Sequence, residues 1–142
     1  VALATALAKS GFIAWIAKLI GTAVAAANMG WIASFVLISL IYIYSHYCFA
    51  SVTARISAMY AAFVAVAAAC GVPAMLVAIT FGCFANLPIS LTHYGNGCGP
   101  VYFGAGYVSQ GEWWRNGFII TTINVVIWLT IGMAWWKFIG LY

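Results

Sequence analysis

The sequence predicts an all-α integral membrane protein, and three observations carry that prediction. Of 142 residues, 67% are hydrophobic and only 4% are charged, where a soluble globular domain carries about 25% charged residues. The apolar residues fall in runs that approach the ~20 residues a spanning helix needs. Those runs are separated by short Gly-, Ser- or Pro-containing stretches rather than by polar loops. Six charged side chains, Lys9, Lys18, Arg55, Glu112, Arg115 and Lys137, cannot cover a water-soluble fold. The composition therefore excludes a soluble enzyme, a nucleic-acid binder and a disordered tail. The net charge of +4 is no basic patch, because the five cations are scattered along the chain.

The elements follow in order. Residues 1–10 read as the end of a transmembrane helix. The chain opens without Met and shows no cleavage region, so it is expected to be a piece of a longer protein rather than to begin with a signal peptide. Residues 11–30 are apolar and alanine-rich. They could span, or lie along the interface as a linker helix, which Phe12, Trp15 and Lys18 favour. Residues 31–70 form two apolar runs joined only by Ser51-Val52-Thr53 and its neighbours. So weakly polar a link does not suit two full crossings, and two half-depth arms of a re-entrant hairpin with its tip near 51–53 fit better. Such backbone at membrane depth survives only inside protein or beside water. Residues 71–109 read as a broken transmembrane helix, punctuated by Gly71-Val72-Pro73 and interrupted over Thr92 to Pro100. Residues 110–116 read as a turn and 117–142 as the last transmembrane helix, bracketed by Trp113, Trp114, Trp135 and Trp136 as an aromatic belt.

The chemistry-bearing groups are few. Ser51 and Thr53 offer hydroxyls that cap a helix or, at a re-entrant tip, hold Na⁺ or a carboxylate. The stretch Thr92–Pro100 is either a connecting loop or a ligand loop, with Asn96 offering a donor and an acceptor and Gly97 allowing close approach. Arg55, a cation at membrane depth, could snorkel, pair with another part of the protein or face an anionic substrate. His46 and His93 read as structural, hydrogen-bonding histidines. Asn86 and Pro88 read as a local kink. Cys48, Cys70, Cys83 and Cys98 contain no C-x-x-C pair and read as small buried hydrophobes. No carboxylate pair, nucleophile triad, phosphate loop or metal-ligand set occurs, so the chain is expected not to be an enzyme.

Four stretches, Tyr44–Thr53, Leu91–Gly97, Val101–Tyr107 and Trp135–Lys137, resemble the divalent anion:sodium symporter family, in its 2-oxoglutarate/malate and citrate/succinate translocator branch. The resemblance covers essentially the whole chain. It implies the second inverted repeat of a secondary transporter, with a re-entrant hairpin and a broken helix, in a multi-pass protein of the cell (inner) membrane that works as a homodimer. It implies a di- or tricarboxylate substrate, with membrane lipid as the other partner and no nucleic acid. Ser51, Thr53, Asn96, Gly97, Thr92 and Arg55 are the implied substrate-binding residues, and a coupling Na⁺ would sit near Ser51, Thr53 and Asn96. Four departures bear on this. Val52 stands where Na⁺-coupled members carry Asn, which favours exchange; Arg55 stands where the branch has His, Asn96 where it has Thr or Ser, and Cys98-Gly99-Pro100 where it has a Pro-Ala-Pro run. A Na⁺-coupled dicarboxylate or sulfate symporter, and a non-transporting membrane anchor, are the competing readings. Broken helices argue against the anchor.

Overall fold

A computed structural model describes residues 6, 9–26 and 30–142. The described residues are helical and contain no strand. Most of the helix end expected over residues 1–10, and residues 27–29 of the expected linker stretch, fall outside them.

Helix α1 covers Phe12–Ala26. At 1.5 Å per residue it is about 22 Å long, short of the ~30 Å hydrocarbon layer. Helix α2 covers Trp31–Tyr44 and tightens into a 3₁₀ turn over Ser45–Cys48. Helix α3 covers Val52–Ala69. The α2 segment through Cys48 and α3 are each 18 residues, long and apolar enough to cross a membrane by length and composition. Both arms are thus longer than half-depth arms need be. The link between them is Phe49–Ser51, because Ser51 adopts an extended backbone (φ −157°, ψ 133°) and caps α3. Val52 and Thr53, expected in the tip itself, are already helical.

The next segment is more broken than expected. Helix α4 covers only Ala74–Cys83, and a 3₁₀ turn follows over Leu87–Ser90. Pro88 explains this stop, since its ring removes a donor and restricts the residue before it. Residues 91–98 are non-helical, and the short helix α5 covers Gly99–Gly104. Helix α6 covers Gln110–Ile127, runs through a π segment at Trp128–Gly132, and continues as α7 over Met133–Phe138. The expected turn at 110–116 is therefore helix. The chain turns at 105–109 instead, because Ser109 and Glu112 form a reciprocal capping box that starts α6 at Gln110.

The tryptophan bracket divides. Trp135 is exposed, whereas Trp136 is buried against Trp128 with ring centroids 5.6 Å apart. Trp114 packs on Tyr47 at 5.5 Å. Packing against neighbouring aromatics holds these two, so only part of the bracket faces outward.

The core lies among α2, α3 and α4. Tyr42 stacks on Phe81 at 4.6 Å and tilts against Phe63 at 5.7 Å. Tyr60 of α3 donates to the Ala78 carbonyl of α4 at 2.9 Å. Helix α1 packs on the outer side of the same unit, against α3. Helix α6 meets the 3₁₀ turn at Leu87–Ser90, where a Cβ on Gly117 would collide with the Ser90 carbonyl oxygen. Only glycine permits that approach. Tyr44 and Thr122 add a hydroxyl–hydroxyl bond of 2.7 Å between α2 and α6.

Arg55 ties the unit together. It is fully buried, and its Nη1 donates to the Tyr42 carbonyl at 2.9 Å. Its Nη2 donates to the carbonyls of Phe84 at 3.2 Å and Ala85 at 2.7 Å. The guanidinium carbon stands 4.6 Å from the Tyr42 ring centroid. Those carbonyls lie at or just past the C-terminal ends of α2 and α4, where helix dipoles place partial negative charge. We predict that Arg55→Met in the full-length protein lowers unfolding free energy by about 3 kcal/mol, since buried carbonyls lose charged donors. Arg55→Lys should fall between, because an ammonium keeps the charge but not the fork. Thermal unfolding in detergent measures both, and equal stability of all three proteins would refute the role.

Candidate functional site: the hairpin link and the interrupted-helix loop

The 3₁₀ turn at Ser45–Cys48 and the loop at 91–98 meet. Tyr94 donates its hydroxyl proton to the Tyr47 carbonyl at 3.0 Å. His46 is fully buried against Gly95, where a Cβ would collide with its Nε2 and come within 2.7 Å of Thr92 Oγ1. The loop is thus docked on the turn that leads into the hairpin link. Ser51 and Thr53 follow that turn directly.

Each expected site residue has a definite place. Ser51 is half-buried, and its Oγ accepts from the Ala54 amide at 3.4 Å. Of the two readings of this serine, the geometry shows the helix cap. Thr53 is exposed in the first turn of α3. Thr92 is buried, with no partner for its hydroxyl among the described residues. Asn96 is half-buried, and both ends of its amide are engaged: Oδ1 accepts from the amides of Cys98 at 2.8 Å and Gly99 at 2.7 Å, and Nδ2 donates one bond, to the Ile89 carbonyl at 3.3 Å. Its side chain therefore caps α5. Gly97 is exposed with open space around it. Arg55, expected among the substrate-binding residues, lies instead in the packed interior on backbone carbonyls. Burial and carbonyl donors at two helix ends account for its place, and neither can be read from local sequence.

The two histidines part ways. His93 fits the structural reading, stacking on Phe103 at 4.3 Å and accepting from Trp114 Nε1 at 3.4 Å. His46 does not: neither ring nitrogen has a hydrogen-bond partner among the described residues. Its position immediately before the link, in a Ser-His-Tyr run, was the one available signal. A separate cavity of about 480 Å³ lies between α1 and α3, walled by Lys18, Gly21, Ala62, Val66 and Cys70, and none of the site residues lines it. Among the described residues no three His, Cys, Asp or Glu side chains could hold a metal ion.

Long apolar helices joined through non-helical backbone define a multi-pass membrane protein, and its class is settled by comparison. The family described as the sodium:sulfate symporter transmembrane region matches residues 1–142, and the chain belongs to it. It is a transport family rather than an enzyme family. The chain is 45% identical over 142 residues to "Dicarboxylate transporter 1, chloroplastic" of Spinacia oleracea, covering 100% of this chain and 25% of that protein. It is 43% identical over 142 residues to "Dicarboxylate transporter 1, chloroplastic" of Arabidopsis thaliana, covering 100% of this chain and 26% of that protein. It is 34% identical over 137 residues to "Inner membrane protein YbhI" of Escherichia coli (strain K12), covering 96% of this chain and 28% of that protein. The chain spans about a quarter of the length of the curated relatives it matches.

The loop generates a prediction. Asn96→Ala frees the amides of Cys98 and Gly99 and should loosen α5, costing about 1 kcal/mol as other lost caps do. Asn96→Asp keeps the acceptor and should hold the loop. Maleimide labelling of Cys98, which is exposed, should accelerate in Asn96→Ala only. Identical labelling rates in the three proteins would count against the cap.

Proposed function

We propose that the full-length protein is a secondary transporter that moves dicarboxylates such as 2-oxoglutarate, malate or succinate, or the tricarboxylate citrate, across the cell (inner) membrane by exchange. The observation that carries this reading is the loop at 91–98, non-helical backbone within an apolar membrane chain and docked on the turn before the hairpin link. Irregular backbone at membrane depth survives where it is buried in protein or lines a water-filled path, and broken helices mark transporter sites. The names of the relatives, which speak of dicarboxylate, supply the substrate class.

In this reading residues 31–70 are a re-entrant hairpin and the chain is the second of two inverted repeats in a homodimer. Ser51, Thr53 and the exposed Gly97 present hydroxyls and backbone amides to one carboxylate, while Thr92, expected beside them, lies buried beneath the loop. The other repeat supplies donors for the second, since stripping water from both charges needs partners on both sides. Arg55 acts at a distance, by holding the link and the interrupted helix in place.

Exchange rather than Na⁺ symport is supported by the oxygen inventory. Val52 brings no side-chain amide. Ser51 Oγ spends one of its two lone pairs on an amide proton, and Asn96 Oδ1 accepts two amide protons. An amide oxygen has two lone pairs, so Asn96 has none left for a cation. Proteoliposomes holding the full-length protein and loaded with malate should take up labelled 2-oxoglutarate in Na⁺-free buffer. Uptake that requires Na⁺ and ignores internal malate would favour symport; sulfate uptake without carboxylate uptake would replace the substrate class.

Thr53 gives a second check, being exposed beside the link. Thr53→Cys in the full-length protein should react with small aqueous thiol reagents, and external dicarboxylate should slow that reaction severalfold. An inert or unprotected cysteine would remove Thr53 from the site.

A further inference from the structure

Buried polar groups normally find partners, and an unpartnered one asks for an explanation. His46 and Thr92 are both fully buried, and the two ring nitrogens and the Thr92 hydroxyl have none among the described residues. They flank the same glycine. A Cβ on Gly95 would collide with His46 Nε2, stand 2.7 Å from Thr92 Oγ1 and lie 3.2 Å from His46 Cδ2. The imidazole edge therefore rests directly on the loop backbone, with no room between them for a methyl group. One residue away on each side, Tyr94 reaches back to the Tyr47 carbonyl. Two adjacent contacts thus key the turn to the loop, one steric and one hydrogen-bonded.

We propose that His46 is a positioning residue for substrate binding: its ring, seated on Gly95, sets the height of the 92–97 loop relative to the hairpin link. The seat explains a buried imidazole without hydrogen bonds, because the ring acts there by its shape. It also gives Gly95 a reason that its backbone does not, since Gly95 is not among the positive-φ glycines. A loop displaced by the width of a methyl group would misplace the backbone around Asn96 and Gly97, and displacements of about 1 Å can change rates or affinities up to a hundredfold.

The inference rests on the transport reading above, and a two-residue cycle tests it in the full-length protein. Gly95→Ala should raise the KM for 2-oxoglutarate in malate-loaded proteoliposomes by about tenfold, with Vmax within about twofold. His46→Ala, which opens space above the loop, should raise KM by a smaller factor. In His46→Ala/Gly95→Ala the new methyl enters the space left by the ring, and the Thr92 hydroxyl 2.7 Å away, which no hydrogen bond among the described residues holds, rotates aside, so Gly95→Ala should add little or nothing further, a non-additivity that distant, independent residues do not show. Multiplying KM effects, or losses confined to folded yield and Vmax at unchanged KM, would overturn the proposal. Should Gly95→Ala yield no folded protein, recovery of folding in the double variant supports the steric seat and failure of both leaves His46→Ala to decide by its own KM. The Cys98 labelling rate, taken in a background without other cysteines, reports loop position without any substrate. It should change in Gly95→Ala and not change further when the same substitution is added to His46→Ala. A wild-type protein that carries no carboxylate refutes the transport reading, while the labelling cycle still judges the seat.

Discussion

A cation buried in an apolar chain with no nearby acid must find its counter-charge in the backbone, and Arg55 does so. Its guanidinium takes carbonyls from the end of α2 and from just past α4. Burying a lone charge is costly unless its donors are satisfied and the surrounding field is negative. The two converging helix ends supply the negative field and accept from both Nη atoms, while Nε has no partner among the described residues. The bond set therefore fixes where the hairpin stands relative to the interrupted segment, and the site elements inherit that placement. Tyr42 contributes twice, with its carbonyl as acceptor and its ring beneath the charge.

The interrupted helix raises the opposite problem, since its backbone groups lack helical partners. Asn96 answers part of it by taking the amides of Cys98 and Gly99 and returning a donor to Ile89. Tyr94 anchors the same loop to the turn before the link. The outcome is a loop held in a defined shape by its own side chains, leaving Gly97 and Thr53 on the outside. If the proposed site lies here, such a loop is preorganised and little ordering entropy is spent when a ligand arrives.

Helix α6 joins this unit through small and hydroxylated residues. Gly117 admits the Ser90 carbonyl, Ser90 and Thr121 share a 3.3 Å hydroxyl contact, and Thr122 bonds Tyr44. Lipid offers little hydrophobic drive for helix association, so close approach and interhelical hydrogen bonds take over. The outward face of α6, including Phe118, Ile119, Ile123 and Val126, stays apolar and exposed, as a lipid- or protein-facing surface requires.

Helical class, membrane environment and the interrupted segments were legible in the sequence, because they follow from composition and run length, which are local sums. The link between α2 and α3 was marked by the absence of a polar connector, the 91–98 loop by its glycines and Pro100, and Ser51 by its hydroxyl. Finer boundaries were not. The capping box at Ser109 moved the last turn, and Pro88 ended α4 early, through competition between local caps that run length does not weigh. The roles of individual polar residues lay furthest from the sequence. Arg55 reads alone as a cation seeking an anion, and only convergence of two helix ends turns it into a backbone clamp. His46 and His93 carry the same His-Tyr signature, yet one meets a tryptophan N–H and the other the bare backbone of Gly95. The partner of a buried polar group is chosen by chain segments that lie dozens of residues away, so tertiary structure alone could decide it.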